Sequence, residues 1–275
     1  MTHKDHNSLN RLKTKQLTLG YDGKAIVNDL NITISTEKIT VLVGANGCGK
    51  STLLRGLARL LKPLKGTIYL DGKAINKLST KSVAKCLAML SQSPIVPEGL
   101  TVRDLVARGR YPHQNWLQQW SREDDRMVEE ALEITEMTKM ADRSLDSLSG
   151  GQRQRAWIAM TLAQDTEILL LDEPTTYLDL SHQIELLDLL HDLNQNRGKT
   201  IAMILHDLNL ACRYADDLIA VKQGRIYAQG SPEKIVTKTM VRDVFNLDCQ
   251  IIQDPLAGTP MCIPIGRKLK KFFFS

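Results

Sequence analysis

Ile39-Thr40-Val41-Leu42-Val43-Gly44-Ala45-Asn46-Gly47-Cys48-Gly49-Lys50-Ser51-Thr52 decides how the rest of the chain is read. Its first five residues are apolar or β-branched and too few for a helix, so they read as a buried strand. Gly44, Gly49, Lys50 and Ser51 then fall in the spacing of a phosphate-binding loop. The glycines allow a tight turn in which several backbone N–H groups face one anion, and the following helix start adds unpaired donors and a favourable dipole. Lys50 offers a cation to the terminal phosphates, and the Ser51 hydroxyl an oxygen to Mg²⁺. A chain of this length matches the pattern by accident roughly one time in a hundred. The strand before it and the helix expected over 51–61, ending ahead of Pro63, make accident a poor account.

Outward from the loop, strand and helix signals alternate. Strand-like alternation covers 16–43, with turns at Tyr21-Asp22-Gly23 and Thr36-Glu37-Lys38. A strand is expected at 66–70, a turn at Asp71-Gly72 and a helix near 81–87. Helical patterning dominates about 94–149, with Met127, Ala131, Leu132 and Ile134 on one face. Buried strands follow at 168–171 and 201–205, each with a helix after it. This order predicts an α/β fold with a largely parallel sheet. A helical subdomain (93–150) is inserted between core segments 16–92 and 151–230, and an α+β appendage occupies 231–266. Residues 1–15 read as a flexible start and 267–275 as a basic-aromatic tail.

Composition excludes more than it assigns. The 275 residues are 43% apolar, and none of the runs reaches the roughly 20 apolar residues of a membrane span. The polar, basic start lacks the apolar stretch of a secretory signal, which predicts a cytoplasmic chain. Five scattered cysteines lack metal-ligand spacing and read as reduced, mostly buried thiols. A net charge of +5 is too mild to argue for nucleic acid.

Two further motifs carry chemistry. Ile168-Leu169-Leu170-Leu171-Asp172-Glu173 ends a buried strand on two carboxylates whose side chains leave the strand on opposite sides. Asp172 suits Mg²⁺ held through water, and Glu173 suits a base for the attacking water. Leu148-Ser149-Gly150-Gly151-Gln152 places a hydroxyl and two bare glycines at a helix start, a second anion cradle. Arg153 and Arg155 put positive charge beside that start, against the dipole, as an anionic visitor would favour.

The last motif resembles the signature sequence of the ABC ATPase family, and the resemblance runs from about residue 17 to 266. It implies a P-loop NTPase core with an added antiparallel β region. It also implies an ATPase using ATP and Mg²⁺, in which nucleotide meets Tyr21 by adenine stacking and Gly44, Ala45, Asn46, Gly47, Cys48, Gly49, Lys50, Ser51 and Thr52 through the loop. Ser149, Gly150, Gly151 and Gln152 would close the site from a second ATPase subunit, with Asp179 in the D-loop. Gln92 matches the Q-loop residue that senses Mg²⁺ and the γ-phosphate, and His206 the switch histidine. The resemblance thus gives Glu173, His206, Gln92 and Lys50 catalytic roles and Ser51, Gln92 and Asp172 to the metal. Ala45 stands where many members carry proline, and Tyr177 where a smaller D-loop residue is common.

Several segments narrow the group. Residues 105–114 (LVARGRYPHQ), 175–179 (TTYLD) and 181–183 (SHQ) resemble the importers of iron–siderophore, haem and cobalamin. Residues 254–260 (DPLAGTP) look most like the ATPases of ferric enterobactin uptake. The expectation is the ATPase of a ferric siderophore importer, of catecholate type, with haem or cobalamin import as the alternative and a non-transport ABC ATPase behind it. Such a subunit sits peripherally on the cytoplasmic face of the inner membrane. It pairs with a second ATPase subunit and two membrane permeases, and serves a periplasmic or lipid-anchored siderophore-binding protein. DNA-repair relatives would carry coiled-coil insertions or zinc cysteines, and translation-type relatives two cassettes. Tyr111, Trp116 and Trp120 are candidates for the permease interface, with packing inside the insertion the alternative for the two tryptophans. The tail reads as a disordered end, with a bilayer surface as its alternative.

Overall fold

The computed structural model describes residues 11–92, 99–114, 120–176 and 178–266. Tyr177, Trp116 and the basic-aromatic tail lie outside them. The chain divides into two compact units, Met1–Ala74 with Ala202–Ser275, and Ile75–Ile201.

The first unit opens on an antiparallel sheet. Strand β1 (Leu12–Tyr21) pairs with β2 (Lys24–Leu30) and β3 (Thr33–Ile34). The β1–β2 link is Asp22-Gly23, both at positive φ (49° and 76°), the tight hairpin geometry whose twist matches the strands. Strand β4 (Ile39–Val43) is buried at all five positions, as its sequence predicts. Helix α1 (Lys50–Leu57) is shorter than the expected 51–61. Arg59 turns left-handed at φ 61°, and the N–H groups of Leu60 and Leu61 turn back onto the Arg55 carbonyl, so the chain leaves the helix well before Pro63. Strand β5 (Lys65–Leu70) lies antiparallel to β1 and turns through Asp71-Gly72, again both at positive φ, into β6 (Lys73–Ala74).

In the second unit, α2 (Thr80–Cys86) is capped by Ser79 and runs straight into β7 (Leu87–Leu90), a strand the helical reading of 81–87 did not contain. Helices α3 (Val102–Arg108), α4 (Arg122–Ile134) and α5 (Gly150–Ala163) follow. Each begins with a reciprocal capping box: Thr101 with Asp104, Ser121 with Asp124, Ser149 with Gln152. Their apolar faces form one core through Leu105, Val106, Val128, Leu132, Ala156 and Ala159. Gly109 allows the close approach, since a Cβ there would lie 2.2 Å from the Met160 carbonyl oxygen. Strand β8 (Ile168–Leu171), fully buried, lies parallel to β7. Helix α6 (Leu180–Arg197) starts on Asp179 and stops at left-handed Gly198.

Strand β9 (Thr200–Ile204) crosses the boundary between the units in sequence. The chain then returns to the first unit through α7 (Leu208–Tyr214) and β10 (Asp217–Lys222), which is parallel to β4. Strand β11 (Arg225–Gly230) pairs back on β10 through Gln223-Gly224, a third turn with both φ positive. The expected appendage contains α8 (Pro232–Ile235), α9 (Lys238–Phe245) and the hairpin of β12 (Cys249–Gln253) with β13 (Pro260–Pro264). Asn209 ties α7 to this hairpin, donating to the Cys262 carbonyl (3.2 Å) and accepting from its N–H (2.8 Å). All five cysteines are free, four are buried, and burial pushes the Cys212 thiol up to about 12. Among the described residues no helix is long and apolar enough to cross a membrane.

The helical core is clamped by one buried ion pair. Arg110 donates through Nε to Asp124 (2.8 Å) and through Nη1 to the Ala163 carbonyl (2.8 Å), with both side chains nearly inaccessible. Burial by itself would raise the Asp124 carboxyl, but the bonds from Arg110 and Ser121 outweigh it and hold the group below its ordinary value. A depressed folded-state value means stability that is present above the ordinary carboxylate range and lost as pH falls through the folded value. Asp124→Ala, which strands the guanidinium, should lower the free energy of unfolding by about 3–5 kcal/mol at neutral pH. Urea melts of both proteins measure this, and the gap between them should narrow in acid.

Candidate functional site

The phosphate loop of the first unit is drawn tight by contacts on both of its flanks. Gly44 is at φ 150°, and a Cβ there would lie 2.3 Å from the Val221 carbonyl oxygen, so β10 leaves no room for a side chain. Cys48 donates its N–H to the Ala45 carbonyl (3.3 Å), and its own carbonyl accepts from Gly224 N–H (2.9 Å) in the β10–β11 turn. Gly49, left-handed at φ 107°, starts α1. Lys50, 5% exposed, folds beneath the loop and donates to the carbonyls of Gly44 (2.8 Å) and Ala45 (3.1 Å). The first turn of α1 contains Ser51 and Thr52 and carries no acidic residue, so its N–H groups are suited to an anion.

Two more expected residues lie in the same unit. Tyr21, 40% exposed at the end of β1, accepts a 3.4 Å hydrogen bond from Arg55 of α1. Arg55, which the sequence gave no reason to single out, thus links the aromatic to the loop's own helix. His206 is exposed between β9 and α7, and Asp207 beside it caps α7 by accepting from the N–H groups of Asn209 and Leu210.

The second unit brings the acids together with Gln92. Asp172, 1% exposed, extends the β7–β8 ladder by donating its N–H to the Leu90 carbonyl (2.9 Å). Glu173 leaves the strand at φ 55°, a left-handed conformation unusual for any residue but glycine and for one preceding a proline. Its Oε2 accepts from Gln92 Nε2 at 2.6 Å and from Thr176 Oγ1 at 3.1 Å. Gln92 therefore meets the acid expected to act as base, while Thr176 is a site residue that sequence reading passed over.

The signature residues of that unit start α5. Ser149 Oγ accepts from Gln152 N–H (3.3 Å) and Gln152 Oε1 from Ser149 N–H (3.1 Å), with Gly150 and Gly151 between them at the first turn. Asp179 caps α6, accepting from the Ser181 hydroxyl (3.0 Å) and from both the N–H (3.0 Å) and Nδ1 (2.6 Å) of His182. The His182 backbone bond, then its ring and Ser181, hold the Asp179 carboxyl below its usual value. The His182 ring lies 3.6 Å from where a Cβ on Gly151 would stand, ordinary contact distance, so the starts of α5 and α6 are neighbours. The two arginines after the signature have internal partners. Arg155 is paired with Glu136 (2.9 Å) and with Glu185, and Arg153 donates to the Leu145 carbonyl (3.3 Å). Arg155 is thus a strut between helices, and its charge needs no anionic visitor to explain it.

On the expectation that the Lys50 ammonium binds phosphate, its loss removes a charge-assisted bond, worth about tenfold or more in affinity. Lys50→Met should therefore weaken ATP binding by at least about tenfold in a fluorescent-nucleotide titration, with the thermal melt of the nucleotide-free chain little changed.

Residues 27–176 match the ABC transporter family. The chain is 60% identical over 256 residues to the petrobactin import ATP-binding protein FpuD of Bacillus anthracis, covering 93% of this chain and 94% of that one. It is 52% identical over 260 residues to the ferric enterobactin transport ATP-binding protein FepC of Escherichia coli (strain K12), covering 94% and 96%. A chain of an ABC transporter solved in an inward-facing conformation superposes with a TM-score of 0.81 at 29% identity, covering 94% of this chain and 99% of the other. With its phosphate loop, strand-end acids and signature helix all formed, the chain belongs to the ABC transporter family and is an ATP-hydrolysing subunit of that family.

Proposed function

We propose that this subunit powers a ferric siderophore importer, with Glu173 as the base in ATP hydrolysis. The observation that carries the chemistry is the Glu173 carboxylate, set at the end of buried β8 and held by Gln92 at 2.6 Å. The phosphate loop and the Lys50 ammonium bind the terminal phosphates. Glu173 accepts a proton from water as the water oxygen bonds to the γ-phosphorus and the bond to the ADP oxygen breaks. We assign His206, exposed after β9, to the γ-phosphate as the switch histidine. Ser51, Asp172 and Gln92 each present an oxygen of the hard kind that Mg²⁺ prefers, and they would hold that ion. When bound, it supplies charge neutralisation at the phosphates.

Two such subunits lie head to tail, the signature Ser149–Gln152 of one closing over the loop of the other, with Asp179 near the join. ATP draws the pair shut and hydrolysis releases it. Paired membrane permeases receive that motion at the cytoplasmic face of the inner membrane, and exposed Tyr111 and Trp120 suit such an interface. The siderophore cargo is supported by relatives of 60% and 52% identity that are named for petrobactin import and ferric enterobactin transport. Of the siderophore chemistries, we favour catecholate.

Glu173→Gln should bind ATP and lower kcat at least about a hundredfold, the size of a lost general base. Normal turnover in that variant would remove Glu173 from the role. Cells lacking this chain should fail to take up radiolabelled iron as a catecholate chelate and recover when it is restored. Uptake undiminished in the deletion strain would overturn the cargo.

A further inference from the structure

The turn after β8 holds a hydroxyl whose position no part of the scheme above uses. Glu173, Pro174, Thr175 and Thr176 form a tight turn in which Thr176 N–H donates to the Glu173 carbonyl at 3.2 Å. The Thr176 hydroxyl reaches the other end of the same residue, donating to Glu173 Oε2 at 3.1 Å. One residue thus grips both the backbone and the carboxylate of the expected base. We propose that Thr176 is a positioning residue for ATP hydrolysis, fixing the plane of the Glu173 carboxylate. The proposal rests on the reading of Glu173 as base.

The physical need is specific. The last torsion of a glutamate is broad and roughly two-fold, so an untethered carboxylate sweeps through many orientations. Glu173 also sits on a left-handed backbone ahead of Pro174, a conformation that persists only where its surroundings hold it. Two donors on one oxygen stop the rotation. The donors differ in kind. Gln92 comes from beyond the end of β7, a segment distant in sequence, and is the group expected to answer to nucleotide and metal. Thr176 belongs to the same turn as Glu173, so its bond is local to the residue it holds. A carboxylate held to within a few degrees meets the attacking water productively, whereas a mobile one spends most of its time misdirected.

Thr176 is half-buried, and valine matches its shape without the hydroxyl. The test uses the full-length chain in its complete transporter complex, with steady-state ATPase measured against ATP concentration for wild type, Thr176→Val, Thr176→Ser and Glu173→Gln. Loss of a hydrogen bond to a charged group is worth about tenfold. Thr176→Val should therefore lower kcat about tenfold while KM and ATP affinity stay within about twofold, and Thr176→Ser should recover most of the rate. In a Glu173→Gln background, Thr176→Val should cost nothing further, because the group it orients is gone. Wild-type kcat in Thr176→Val beside an inactive Glu173→Gln would overturn the positioning role and leave the base assignment standing. So would equal losses in the valine and serine variants accompanied by a lower Tm, the mark of a merely structural residue. A fully active Glu173→Gln would overturn the base assignment first, and the positioning role with it.

Discussion

The Lys50 ammonium lies 5% exposed, with the carbonyl oxygens of Gly44 and Ala45 at 2.8 and 3.1 Å. A buried cation must be satisfied or it destabilises the fold by several kcal/mol. Here the loop backbone itself supplies the acceptors. For both carbonyls to point inward, the peptide N–H groups that follow must turn elsewhere, and the left-handed glycines at 47 and 49 make that possible. Gly44 is pressed against β10 and Cys48 is bonded to the β10–β11 turn, so the loop cannot relax outward. The arrangement is therefore preorganised: a phosphate that displaces the carbonyls from Lys50 finds the donors already aligned.

The second unit solves a related problem with acids. Asp172 is almost inaccessible and Glu173 is set on a backbone conformation that costs about 1–2 kcal/mol for a side-chain-bearing residue. Both costs fall at the end of a buried parallel pair, β7 and β8, whose ladder continues through Asp172 N–H to Leu90. The ladder fixes where the carboxylates begin, and Gln92 and Thr176 fix where Glu173 ends. Strain tolerated at one residue is matched by hydrogen bonds from residues next to it in space.

Local chemistry was the most legible part of the sequence. The Asp-Gly pairs at 22–23 and 71–72 are turns because both residues must take positive φ, and the loop was read from the same requirement on glycine. Elements set by partners were not legible. Strand β7 is four residues with a continuous apolar pattern directly after a helix, and only its pairing with β8 makes it a strand. The end of α1 escaped because the left-handed position after it is held by Arg59 and not by a glycine. Within the site, Tyr21, Gln92, Asp179 and His206 came from family resemblance, and residue types alone would not have singled them out. Thr176 and His182 appear in the sequence reading only within family-like segments and were given no role, although each stands three residues after an acid, the spacing at which a short turn returns a side chain to its start. Arg155 shows the opposite failure: charge beside a helix start looked like a ligand signal, while two glutamates distant in sequence answer it.

The signature serine raises the question whether one hydroxyl can both cap a helix and receive a nucleotide. As a cap, Ser149 Oγ accepts from Gln152 N–H, and Gln152 repays the Ser149 N–H through its own side chain. A serine hydroxyl has two acceptor lone pairs and one proton to give. Capping uses acceptor capacity only, so the proton stays suited to a phosphate oxygen, which is purely an acceptor. The two tasks therefore draw on different halves of the same group. Gln152 completes the division: by taking up the Ser149 N–H it prevents that donor from competing for the anion, while Gly150 and Gly151 leave the next N–H groups unscreened at the positive end of α5. The capping boxes of α3 and α4 use Asp at the corresponding position, placing a negative charge at the helix start. Of these three boxes, that of α5 is closed by a neutral residue, Gln152, and so adds no negative charge at its helix start.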